Sequence, residues 1–154
     1  MSTPIIETIA EFIKDAINEI TTGNGYNQTL TAIRPRRIHI TESINQDLQV
    51  LVTQDSPAAA TPVEGTSAAT WWQPFNIEAI AIDSDDAATA IETRLNQIAS
   101  DIIKKILIDE TCDSNAHHIE IRSVEISHGP EISVVKVVIA VLYRTAYGDP
   151  YTSV

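Results

Sequence analysis

From Ile132 to Tyr143 the chain reads ISVVKVVIAVLY, with Lys136 as its one charge. Val135, Val137, Ile139, Val141 and Tyr143 point one way, while Val134, Val138, Ala140 and Leu142 point the other. A β-branched run that is apolar on both sides predicts a strand in mid-sheet, covered on both faces. The chain's own helices can cover one face; the other asks for a partner.

Two helices follow from period-3.6 stripes. Ile6, Ile9, Ile13, Ala16, Ile17 and Ile20 predict a helix over about 4–21, capped by Ser2 or Thr3, with Pro4 in its first turn and Gly23 ending it in the left-handed conformation. Ile91, Leu95, Ile98, Ile102 and Ile106 predict a second over about 85–108. Asp83-Ser84-Asp85-Asp86 is read as its N-terminal cap, and Lys104 and Lys105 suit its negative end.

Period-2 segments supply the strands. Leu30–Ile40 is one, broken at Pro35, and Asp47–Gln54 is a second. The polar stretch Thr41–Gln46 between them predicts a hairpin. Phe75, Ile77, Ala79 and Ala81 mark a third. Ile119–Ser127 is a fourth, whose apolar set changes phase between Ile121 and Val124, so a bulge is expected near Ser123. The result is an α+β domain spanning 1–154, in the order α-β-β-β-α-β-β. Its sheet is mainly antiparallel, or mixed, with about five strands packed by two helices. Ser56–Thr70, rich in Ala, Thr, Ser and Pro, is expected to project as a loop. The chain from about 145 is expected to be an exposed tail.

The chain has 154 residues and a net charge of −11. Accumulated Lys and Arg give phosphate affinity, so this balance argues against a dedicated nucleic-acid binder. No apolar run approaches the roughly 20 residues of a membrane span, and no signal-peptide pattern follows Met1. The one cysteine, Cys112, cannot form an internal disulfide, which fits a soluble protein of a reducing cytoplasm.

Candidate chemistry is sparse. Gly23-Asn24-Gly25 follows a helix and lacks a third glycine, so it is a turn rather than a phosphate loop. Asp83–Asp86 lacks the later ligands of a calcium loop. Cys112, Asp113, His117 and His118 share a short segment without zinc-site spacing, so no metal is expected and Cys112→Ser should leave stability nearly unchanged. No catalytic motif and no cofactor site emerges.

Contact residues are the better candidates. Trp71 and Trp72 adjoin the expected loop, and tryptophan is enriched where a partner excludes water. Alternation puts them on opposite faces, so one is expected at an interface and the other in the core. Arg34, Arg36 and Arg37 concentrate charge on an acidic chain and can pair with carboxylates of a partner. Tyr147 and Tyr151 in the tail complete the set.

The element order, with WWQPFNIEAIAID, DIIKKILID, IEIRSVEISHGPEISVVKVVIAVLYRT and the ending YGDPY, resembles the tail terminator (tail completion) proteins of long-tailed bacteriophages and prophages. The resemblance implies a non-enzymatic subunit of a hexameric ring at the head-proximal end of the virion tail, assembled in the host cytoplasm. Such a ring caps the tail tube, ends its polymerisation and offers a surface to the head–tail connector. Its implied partners are further copies of itself, the tube protein and the connector, with no membrane. Genome DNA passes through the lumen without sequence-specific binding. The alternatives are a connector or neck component, a small ligand-binding regulatory domain, and an enzyme using the histidine segment.

Overall fold

The protein is described by a computed structural model covering residues 2–35, 46–60, 67–83 and 89–154. Helix α1 spans Ile5–Asn18 and α2 spans Ile91–Ile106. The strands are β1 (Thr31–Ile33), β2 (Gln49–Gln54), β3 (Ala58–Ala59), β4 (Ala68–Ile82), β5 (His118–His128), β6 (Ile132–Ala146) and β7 (Asp149–Ser153). They form one mixed sheet in the order β1-β2-β4-β6-β5, with β3 added to β4 and β7 to β6. The expected α+β class holds. The two-sided run Ile132–Tyr143 lies in β6, an interior strand next to the edge strand, paired with β4 on one side and with β5 on the other.

Both helices lie on one face. Ile9, Ile13 and Ile17 of α1, with Leu95, Ile98 and Ile102 of α2, pack against Phe75, Ile77, Val135, Val137 and Ile139 of the sheet. These residues are buried almost completely, and each such side chain contributes about 1.5–3 kcal/mol relative to exposure. In β6 burial alternates through Ser133, Val135, Val137, Ile139, Val141, Tyr143 and Thr145, the helix side. On the other side Val134, Lys136, Val138 and Leu142 are half-buried, and among the described residues no helix lies over them.

The bulge expected near Ser123 is present, as a register shift between Ile121 and Ser123. Other details differ from expectation. The first helix ends at Asn18, and the left-handed glycine is Gly25 (φ 85°) after a 3₁₀ turn, not Gly23. Pro4 itself occupies the N-cap of α1, with no side-chain cap. Helix α2 starts at Ile91 with Ala90 at its cap. Ser84–Asp86 lie outside the described residues, and the Asp83 amide donates to the Glu131 carbonyl, 2.9 Å away.

The expected hairpin of the first two strands is instead a parallel pair, with Thr31, Ala32 and Ile33 beside Gln49, Val50 and Leu51. Parallel neighbours need a crossover rather than a tight turn. The intervening 36–45 lie outside the described residues. Leu48, left-handed at φ 61°, leads directly into β2. The third strand begins at Ala68, not Phe75, so both tryptophans are strand residues.

The base of the segment expected to project is paired: Ala58 and Ala59 lie opposite Trp72 and Trp71, while 61–66 lie outside the described residues. The tail turns at Gly148 (φ 78°) and returns as β7 along the end of β6; its side chains stay exposed except for partly covered Asp149.

Candidate assembly surface

Alternation along β4 sends Trp71 and Trp72 to opposite faces. Trp71 lies on the helix side, cross-strand from Tyr143, and packs against the core. With Tyr143, Pro57 and the Gly148-Asp149-Pro150 turn it lines an open cleft of about 310 Å³. Burial raises the Tyr143 phenol above its ordinary range. The Asp149 carboxylate accepts bonds from the Tyr151 amide (3.0 Å) and the Thr152 hydroxyl (2.6 Å), which hold it below the ordinary range.

Trp72 lies on the uncovered face, opposite Leu142 of β6. The Arg122 guanidinium from β5 sits 5.1 Å from its ring centroid and also pairs with Glu120 at 2.9 Å. Arg122 and Trp72 come from the two strands that flank β6. Ala140 of β6, on this same face, is buried. Farther along, Glu78 lies opposite Lys136, and Lys136 is 3.7 Å from Glu125. The uncovered face thus has an apolar centre of Trp72, Val138 and Leu142, bordered by paired charges.

Arg34 is engaged inside its own chain. Its guanidinium pairs with Glu7 and with Glu11 (2.9 Å) of α1 and donates to Gln54 (3.0 Å) at the end of β2. The Lys14 ammonium, and then Arg34, hold Glu11 below the usual carboxylate range. Arg34 therefore ties α1 to the sheet, a role that its neighbours in sequence did not suggest. Arg36 and Arg37 lie outside the described residues. Tyr147, at 81% exposure, and Tyr151, at 49%, stand free on the β6–β7 hairpin.

The histidine segment is organised by Asp109. Its carboxylate accepts from the Thr111 hydroxyl and amide and from the Asp113 amide, and these bonds hold it below the ordinary range. They fix a turn in which Cys112, Asp113 and Ser114 all have positive φ. The turn pushes Cys112 inward: it is fully buried, part of the core, and desolvation raises its thiol to about 12. This overturns the expectation that Cys112 is a replaceable loop residue.

His117 and His118 diverge, with His117 Nε2 3.0 Å from the Val154 carbonyl and His118 Nδ1 2.7 Å from Glu110. Among the described residues no group of three or more His, Cys, Asp or Glu is arranged to hold a metal. No described helix is long and apolar enough to cross a membrane.

A feature that sequence reading missed is buried Asp101 on α2. Its carboxylate accepts from the Asn27 amide (2.9 Å), the Asn27 side chain (3.0 Å) and the Gln28 amide (3.0 Å), so it pins the chain entering β1. Its place on the apolar side of α2, one residue before Ile102, was the available signal.

The sequence matches no protein-family model and no curated protein.

Proposed function

We propose that this chain is a structural subunit of a phage tail, a terminator that assembles into a hexameric ring on the head-proximal end of the tail tube. The observation that carries the reading is the sheet face that no described helix covers: interior strand β6 is apolar on both sides, with the described helices over one. Half-exposed Trp72, Val138 and Leu142 give a neighbouring subunit an apolar centre to bury, and the paired charges around it give a polar rim. A ring supplies every subunit with two neighbours through one repeated contact. The resemblance in sequence supplies the tail; the unpartnered face supplies the need to assemble.

In this reading Trp72 anchors the neighbour, and Tyr147 and Tyr151 on the exposed hairpin meet the tube or the connector. Arg36 and Arg37 are the arginines left to pair with partner carboxylates. The acidic ring repels DNA phosphates, so the genome slides through the lumen. Nothing in the role calls for catalysis or a cofactor.

Electron microscopy of the purified protein, alone and mixed with tail tubes, is the test. Sixfold rings seated at one tube end, with tube growth halted there, are the expected result. Tubes that elongate unchanged and stay bare at both ends would sink the reading.

A further inference from the structure

Beyond the ring reading, and independent of it, the sheet carries an open edge. At the β1 end the edge is closed: the Asn18 side chain donates to the Ala32 carbonyl (3.2 Å) and accepts from the Ala32 amide (2.8 Å). That amide side chain occupies the polar groups that face away from β2. At the other end β5 runs for 11 residues with β6 on one side and no strand on the other among the described residues. A long edge strand with apolar side chains is a template for another strand. Here Val124 and Ile126, each 44% exposed, lie along it.

The bulge decides which strand fits. Before it, Ile119 and Ile121 face the helix side and Glu120 and Arg122 the other. After it, Val124 and Ile126 face the helix side and Ser123 and Glu125 the other. Residue parity therefore switches once, at Arg122 and Ser123. An antiparallel second β5 related by a twofold axis between those two residues matches face to face along the strand. Ile121 meets Val124 of the second copy, and Ile119 meets its Ile126. A bulge shifts the ladder's hydrogen-bonding phase together with its side-chain phase, so the same register matches the ladder. A register slip of one residue, which puts the axis on Arg122 or on Ser123, sets apolar side chains against polar ones along the strand.

The charges are partnered in this register. Glu120 falls opposite Glu125 of the second copy, but each brings its own cation, Arg122 on Glu120 at 2.9 Å and Lys136 on Glu125 at 3.7 Å. Each side of the axis thus brings two cations to the two facing carboxylates, with Glu78 of β4 also beside Lys136.

We propose that, away from the tube, the protein is a twofold dimer in which β5 of one copy pairs antiparallel with β5 of another about an axis between Arg122 and Ser123. The two sheets then run on as one. A twofold contact cannot propagate around a polar ring, so this is a distinct interface from the one that closes the ring.

Sedimentation velocity across a concentration series should give twice the chain mass, falling to the chain mass for Ile126→Lys, and the two proteins should share one circular-dichroism melt once diluted to monomers, because position 126 is partly exposed. A register-specific readout is disulfide trapping. An oxidised mixture of Glu120→Cys and Glu125→Cys proteins should form the mixed disulfide in at least tenfold excess over either homodisulfide, since only opposed residues bring their Cβ atoms within about 5.5 Å. Buried Cys112 does not compete. The dimer is overturned by a chain-mass species at every concentration, by a dimer that survives Ile126→Lys, or by homodisulfides as the main product. A sixfold ring whose mass ignores Ile126→Lys also overturns it, while leaving the ring reading intact.

Discussion

Adjacent tryptophans on one strand offer a controlled comparison, because alternation gives them the same backbone and opposite surroundings. Trp71 packs on the core beside Tyr143, and Trp72 lies on the uncovered face under Arg122. Truncating a fully buried tryptophan costs about 3–5 kcal/mol. Trp71 is only partly covered, because one side opens on the cleft, so Trp71→Ala should cost about 2–3 kcal/mol of subunit stability. Trp72→Ala loses a cation–π contact of about 0.5–1 kcal/mol and some apolar cover over β6, about 1–2 kcal/mol together.

Assembly should respond in the opposite order, since a tryptophan at the centre of a contact contributes about 2 kcal/mol or more to it. Urea unfolding of dilute protein measures the first quantity, and the mass of the rings formed in the presence of tail tubes the second. Trp71→Ala should shift the urea midpoint most, while Trp72→Ala should shift the oligomer distribution most. Arg122→Ala should reproduce part of the Trp72→Ala stability loss. If Trp72→Ala unfolds the subunit as readily as Trp71→Ala and leaves the ring mass intact, the uncovered face is not the contact.

Two further outcomes follow from buried groups on the helix side. Cys112→Ser should destabilise the fold by about 1–3 kcal/mol, because a hydroxyl enters a buried apolar site; native Cys112 should resist thiol reagents until the chain unfolds. The thiol at about 12 lies above its unfolded value, so the folded state binds more protons between the two. Stability should therefore fall as pH rises through the unfolded thiol range of about 8.5 towards 12, and Cys112→Ala should reduce that slope, leaving the part due to the raised Tyr143 phenol. Asp101→Ala should cost about 3 kcal/mol by stripping three donors of a charged acceptor, whereas Asp101→Asn, which still accepts from the two backbone amides, should cost under about 1 kcal/mol; equal losses in denaturant melts would contradict that account.

Local periodicity carried much of the fold. Both helical stripes, the interior strand β6 and the bulge near Ser123 are written in residue spacing, because burial on one face imposes the pattern directly. What depends on distant partners was not legible. Ala69 and Thr70 look like loop residues and are strand because Thr145 and Arg144 lie opposite them. β1 and β2 look like a hairpin, yet their parallel pairing is a matter of tertiary placement. Cys112 sits in a polar run, and only the left-handed turn built by Asp109 sends it inward. At the candidate surface, the opposite facing of the two tryptophans could be read in advance. Arg34 could not, because its carboxylates come from α1.

The position of β6 in the chain has a consequence for how the protein is made. Every strand that flanks β6, except β7, precedes it in synthesis, and β4 must wait for it: Ile77 is made long before its partner Val137. Until then β4 has, among the described residues, only β2 and the short β3 beside it. Such late, non-local closure slows folding and leaves unfinished strands open to the wrong partners. The β5–β6 hairpin, closed by the Gly129 turn in which a Cβ would come within 2.6 Å of the Ile132 carbonyl oxygen, is the local structure able to form first and present β6 as a template. Changes in that turn should therefore slow refolding and lower the yield of soluble protein more than they lower the stability of protein that has already folded.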